Sequence, residues 1–251
     1  MKAIISSKDN KFVKEAYALL TPSGRRKLGK YVIEGASYLH SGVEYVLVSN
    51  KCTITAPLNK YEHHIVEDSV FSRLTTTENS QGVLAVCTTP SHNLMDVLSC
   101  TKGIFIVCEG IRDPGNLGSI IRTAAASGCK GVFAIKGCTE AYSPKAVRAA
   151  AGATMHIPIV ENCETATLLE MLDKSETRLV AAHLKADTPH YNADFTGKIA
   201  ILIGNESRGL SDILSSSAHT AVKIPMPGAD ISLNAGNAAA ILIYEAMRQN
   251  I

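Results

Sequence analysis

The sequence predicts an α/β fold: a parallel sheet covered by helices on both faces, preceded by a smaller α/β domain. Three observations predict it. Near-continuous apolar runs bounded by turn residues recur in the second half of the chain, as in GIFIVC (103–108) and KIAILIG (198–204). Strands that are apolar on both faces are buried on both faces, the habit of parallel sheets. Helix-like segments alternate with these runs, which implies βαβ connections. Finally, a polar stretch without strand pattern, TTPSHNLMDVLSCTK (88–102), separates the two halves.

Taken in order, residues 9–20 read as a helix, and EYVLVS (44–49), HHIV (63–66) and GVLAVC (82–87) as strands of the first domain. The stretch 88–102 suits a connector holding one short helix. Strands follow at GIFIVC (103–108), GVFAI (131–135), RLVAAH (178–183), KIAILIG (198–204) and AVKIP (221–225), with helices near 116–128, 143–152, 164–173 and 234–249. The expected organisation is a domain over 1–90, a linker over 91–102 and a larger domain over 103–251. At 251 residues the chain is long enough for two such units, each with its own core.

Charge is distributed unevenly. Residues 1–60 hold ten Lys or Arg against four Asp or Glu, whereas 61–90 hold one against four and 91–251 fourteen against fifteen. The positive excess, carried by Lys8, Lys11, Lys14, Arg25, Arg26, Lys27 and Lys30, suits attraction of a polyanion such as nucleic acid, and equally a solvated basic face. Seven scattered cysteines without a CxxC pair predict reduced thiols and no bound metal. The N-terminus lacks an apolar leader, and no run reaches the roughly 18 residues of a membrane span. The expectation is a soluble, cytoplasmic protein.

Three stretches carry candidate chemistry. In DPGNLGSIIRTAAASG (113–128) the spacing of Gly115 and Gly118 fits neither G-x-G-x-x-G nor a lysine-bearing phosphate loop. With a helix start near Asn116, steps of three put Asn116, Ser119 and Arg122 near one face. A capping asparagine and a surface arginine explain the same stretch. In KIAILIGNESRGLS (198–211) an apolar strand runs directly into Gly204–Gly209, beyond a strand's carboxyl end where ligands of open α/β sheets bind. Gly204 permits close approach of a ligand and Glu206 adds a carboxylate. In AVKIPMPGADISLNAGNAAAILIYEAM (221–247) a strand ends at Pro225, and Ser232 or Asn234 caps an apolar helix whose first turns are small.

Together these stretches resemble the SpoU family of RNA ribose 2'-O-methyltransferases, within the SPOUT superfamily. DPGNLGSIIRTA, LIGNESRGLS and IPMPGADISLN with AAAILIYEA match its three motifs in order. YSPKAVRAAAGATMHIPI (142–159) is similar to the family's loop between motifs. NSQGVLAV, SSKDNKFVKEAYALL and YVIEGASYL resemble parts of its N-terminal substrate-binding domain, of the L30e type. The resemblance thus spans nearly the whole chain. It implies a SPOUT methyltransferase domain with a deep trefoil knot, S-adenosylmethionine (AdoMet) as cofactor, RNA as partner, with rRNA ahead of tRNA, and a homodimer with third-motif helices near the interface.

By motif position the resemblance assigns AdoMet binding to Leu202, Ile203, Gly204, Ile224, Met226 and Leu233, largely through backbone atoms. It makes Arg122 the residue that acts on the ribose hydroxyl, with Asn116 and Glu206 arranging the site and Ser232 and Asn234 completing it. A guanidinium is always protonated, so orientation of the hydroxyl and a nearby phosphate is the alternative role for Arg122. No metal is needed. Two departures from the family's usual pattern stand out: Ala235, Gly236 and Asn237 after Asn234, where a pocket wall or dimer contact is expected, and Ala150 in place of serine, where an effect on RNA fit is expected. A catalytically silent RNA-binding or ribosome-assembly factor with this fold is the second reading, and the five intact side chains argue against it.

Overall fold

The computed structural model describes all residues except 1–2, 54–55, 78–79 and 229–231. Residue 79 of the NSQGVLAV segment and 229–231 of the third motif therefore lie outside the described residues. The chain divides into two compact units, 1–90 with 142–151 and 91–141 with 152–251.

In the first unit, Asn10 caps α1 (Lys11–Leu19) by accepting from the Phe12 N–H, and Thr21 caps α2 (Pro22–Leu28), whose proline sits at the tolerated first turn. A four-stranded sheet follows from β1 (Lys30–Glu34), β2 (Val43–Ser49), β3 (His63–Val66) and β4 (Val83–Thr88), in the order β1-β4-β2-β3. The one-turn helix α3 (Asp68–Phe71) lies between β3 and β4 in the chain. β4 runs antiparallel to both neighbours, while β2 and β3 are parallel. Val13, Ala16 and Leu19 of α1 close a core with Val32, Leu47 and Leu84. The sequence reading lacked β1 and α2: β1 has only three buried residues between a lysine and a glutamate, and α2 is short with Gly24 inside it.

The second unit begins with α4 (Leu94–Val97), the short helix expected in the connector, and β5 (Gly103–Cys108). Then come α5 (Pro114–Ala126), β6 (Gly131–Ile135), β7 (Ile159–Cys163), α7 (Thr165–Lys174) and β8 (Arg178–Ala182), with α6 (Pro144–Ala150) of the first unit falling between β6 and β7 in the chain. The chain ends with β9 (Thr188–Pro189), β10 (Lys198–Ile203), α8 (Asp212–Ser217), β11 (Thr220–Lys223) and α9 (Ala235–Asn250). The seven strands order as β7-β6-β5-β10-β8-β11-β9, and every pairing is parallel. β7 (IVENC) was not read as a strand because it is an edge strand with polar, partly exposed positions in place of an apolar run.

Helix α6 lies within 103–251 in sequence but packs with the first unit, against β1. It buries Ala146, Val147 and Ala150, and the Arg148 guanidinium donates to the Thr76 hydroxyl at 2.7 Å. Thr76 and Thr77 in turn donate to the Glu34 carboxylate. Ala150 is fully buried, so this departure from the family pattern is a packing position and does not face a substrate. A serine hydroxyl there would need a buried partner. Among the described residues no helix is long and apolar enough to cross a membrane, and all seven cysteines are free thiols.

Candidate functional site

The carboxyl ends of β8, β10 and β11, three neighbours in the parallel sheet, surround a cleft of about 410 Å³. Parallel strands bring all their carboxyl ends to one edge, so loops distant in sequence converge there. The loop after β10 is tightly built. Asn205 and Gly209 exchange backbone hydrogen bonds of 3.0 and 2.8 Å, and the Asn205 side-chain oxygen accepts from the N–H groups of Ser207 and Arg208. A Cβ on Gly204 would lie 2.3 Å from the Gly209 carbonyl carbon, so only glycine lets this loop fold back on its strand. The Asn205 amide donates to the Gly110 carbonyl at 2.9 Å, and the Glu109 carboxylate accepts from the Ser211 N–H at 2.7 Å, tying the loop to the end of β5.

Two helix starts complete the site. The N-cap of α5 is Asp113, not Asn116: its carboxylate accepts from the Asn116 N–H at 3.0 Å and Pro114 takes the first turn. The Asn116 side chain is thereby left for tertiary contacts, donating to the Glu206 carboxylate and accepting from the Asn234 amide at 2.8 Å. Asn234 is the N-cap of α9; its oxygen accepts from the N–H groups of Gly236 and Asn237 at 2.9 and 3.4 Å. One chain of polar contacts thus joins the three candidate stretches through Asn116, Glu206 and Asn234. Gly236, one of the departures noted above, lies against α5: a Cβ there would sit 3.3 Å from the Ser119 side chain. It lets the first turn of α9 approach α5.

The expected site residues separate into groups. Ile203, Gly204, Ile224, Met226 and Leu233 line the cleft, and Glu206 and Ser232 join them. Leu202 does not: its side chain is fully buried in the core with Phe105, Val107 and Leu214, because alternate residues of a strand point to opposite faces. Arg122 is exposed, and among the described residues its side chain has no partner. Six residues after Asn116, it stands about 9 Å further along the helix axis, off the polar chain.

The sequence reading missed one wall altogether. Ala182, His183, Leu184 and Lys185, at the end of β8, line the cleft. Their signal was the apolar run RLVAAH, which marks a strand whose carboxyl end opens onto the ligand edge. Among the described residues no group of His, Cys, Asp and Glu is arranged to hold a metal ion.

This geometry has known counterparts. A sequence model of the SpoU rRNA Methylase family matches residues 103–244. The 23S rRNA (guanosine(2553)-2'-O)-methyltransferase RlmP of Bacillus subtilis is 30% identical, covering 97% of this chain and 98% of its own. The crystal structure of an AdoMet-bound rRNA methyltransferase from Sinorhizobium meliloti superposes with a TM-score of 0.87 at 27% identity, covering 98% of this chain and 97% of that one. The SpoU methyltransferase AviRb from Streptomyces viridochromogenes, in complex with the cofactor AdoMet, gives 0.86 at 26% identity, covering 96% and 98%.

Proposed function

The chain belongs to the SpoU rRNA methylase family, and from that premise we propose that it transfers a methyl group from S-adenosylmethionine to a ribose 2'-hydroxyl of ribosomal RNA. The observation that carries the proposal is the polar chain Asn116–Glu206–Asn234 set beside the cleft. The cleft fits the cofactor: its volume of about 410 Å³ is that of a small-molecule site, Ile203, Ile224, Met226 and Leu233 offer apolar walls, and Glu206 offers a carboxylate. When bound, AdoMet supplies an electrophilic methyl on a sulfonium.

The residues of the chain have the remaining work. The Glu206 carboxylate, held by Asn116, lines the cleft and favours binding of the sulfonium-bearing ligand over the neutral product. Asn116 and Asn234 are held by each other and by the helix N-termini, so the donors and acceptors presented to a ribose are preorganised. A ribose hydroxyl is a weak nucleophile and needs both close positioning and loss of its proton. Arg122 is an exposed guanidinium without a partner among the described residues, suited to grasp an RNA phosphate and turn the neighbouring hydroxyl toward the cleft, with the proton passing to phosphate or water. Ser232, exposed at the rim, adds a hydroxyl.

The first unit grips the RNA through its basic surface, and the protein works as a homodimer through α9. What supports the dimer is the outward side of that helix, where Ile241 and Tyr244 are exposed. The trefoil knot implied by the family is part of the same reading, supported by the parallel sheet with β10 between β5 and β8. The test is transfer of labelled methyl from AdoMet to unmodified ribosomal RNA, followed by nucleoside analysis. A 2'-O-methylated nucleoside is the expected product; base methylation, or binding of RNA with no transfer to any RNA or assembling ribosomal particle, would overturn the proposal.

A further inference from the structure

The cleft has an uneven charge distribution that methyl transfer does not account for. Glu206 is its one carboxylate among the described residues, and it is set against three cations, Lys185, Arg208 and Lys223. None of the three has a side-chain partner among the described residues. They come from three neighbouring places, the turn after β8, the loop after β10 and the end of β11. Like charges gathered in one cleft repel each other and repel a sulfonium, so an anion is the ligand group that reconciles them.

We propose that Arg208, flanked by Lys185 and Lys223, forms the subsite for the amino-acid carboxylate of S-adenosylmethionine, leaving Glu206 to face the sulfonium end. The inference rests on the methyl-transfer reading above. Arg208 is the principal contact. Its backbone N–H is pinned to the Asn205 side chain at 3.2 Å within the closed 204–209 loop, while its guanidinium is exposed and free. A planar guanidinium pairs with a carboxylate through two parallel hydrogen bonds. Lys185 also sits on a held turn, its N–H donating to the His183 ring nitrogen at 3.1 Å and the Ala186 N–H to the His183 carbonyl at 3.1 Å. The cations share the cleft with Ile224, Met226 and Leu233, a small-molecule environment, and this favours a ligand carboxylate over an RNA phosphate.

The test is calorimetric binding of AdoMet and of decarboxylated AdoMet, which lacks only the carboxylate, to the full-length protein and its variants. Wild type is expected to prefer AdoMet by roughly tenfold or more, as a charge-assisted pair implies. Arg208→Ala is expected to weaken AdoMet alone and collapse that preference, Arg208→Lys to keep part of it, and Lys185→Ala and Lys223→Ala to reduce it less. Unchanged affinity for the decarboxylated ligand shows that the variants are folded. Full retention of the preference in every variant would overturn the subsite. So would unchanged AdoMet affinity with weakened RNA binding, which would make the three cations a phosphate contact. A wild type that binds neither ligand would instead sink the methyl-transfer reading itself, and the subsite with it.

Discussion

In the four-stranded sheet β4 runs against both its neighbours, whereas every pairing in the seven-stranded sheet is parallel. The mixed sheet sends its loops to both ends, and its polar side chains pair among themselves there, as Arg148, Thr76, Thr77 and Glu34 do beside β1. What it carries besides is basic charge on and beside α1 and α2. The parallel sheet gathers the ends of β5, β8, β10 and β11 at one edge, and there Asn116 meets Glu206 from 90 residues away and Asn234 from 118. Strand direction thus explains why distant polar side chains converge in the second unit.

The largest effects are expected at one glycine in each unit. A Cβ at Gly204 would fall 2.3 Å from the Gly209 carbonyl carbon, and one at Gly24 would fall 2.0 Å from the Ala18 oxygen. Each alanine substitution is expected to cost about 2–3 kcal/mol, as overpacking against backbone does. Gly204→Ala should abolish AdoMet binding and transfer together, while Gly24→Ala should lower the unfolding temperature and leave AdoMet affinity intact. Calorimetry on both variants decides, and equal AdoMet affinities would erase the distinction between the units.

Next in size is Arg122→Ala. Loss of a group that positions the nucleophile is expected to slow transfer by roughly 10²-fold or more with AdoMet affinity unchanged. Single-turnover assays beside binding measurements show whether the two separate; a parallel loss of AdoMet binding would place Arg122 in the cleft after all.

The basic surface should respond more gently. Structure trims its list: Lys30 is held by Glu15 and Glu44 at 2.7 and 2.6 Å, Lys14 pairs with Asp9 at 2.9 Å, and Arg25 is buried with a bond to the Leu19 carbonyl. Lys8, Lys11 and Lys27 remain exposed. Changing these three to glutamine is expected to weaken RNA binding and reduce its salt slope by about one per lost phosphate contact, without touching AdoMet affinity. These substitutions are preferable to removing 1–90, which would strip α6 of the sheet it packs on. An unchanged salt slope would return the basic face to a solvated surface.

The smallest effect is in acid. The Arg248 guanidinium, with help from Gln249, holds the Glu245 carboxyl down at about 2. Because the folded value lies below the unfolded one of about 4.3, its stabilising contribution is complete above that pH and is lost as pH falls toward the folded value. Glu245→Gln should therefore flatten the acid side of the stability curve of the second unit, measured by denaturant unfolding, and leave neutral transfer activity alone.

Five of the second sheet's seven strands were legible in the amino-acid sequence, because burial on both faces demands continuous apolar runs: GIFIVC, GVFAI and KIAILI each became a strand. The sequence also determined the three loops that build the site, whose small and polar residues interrupt those runs. Tertiary structure alone decided which side chains meet. β7 is a strand because β6 presents it an edge, α6 joins the first unit, Leu202 turns into the core, and the end of β8 becomes a cleft wall. Periodicity reports the face of a residue within its own helix or strand. The order β5-β10-β8-β11, a product of packing across more than a hundred residues, decides which faces and ends share a cleft.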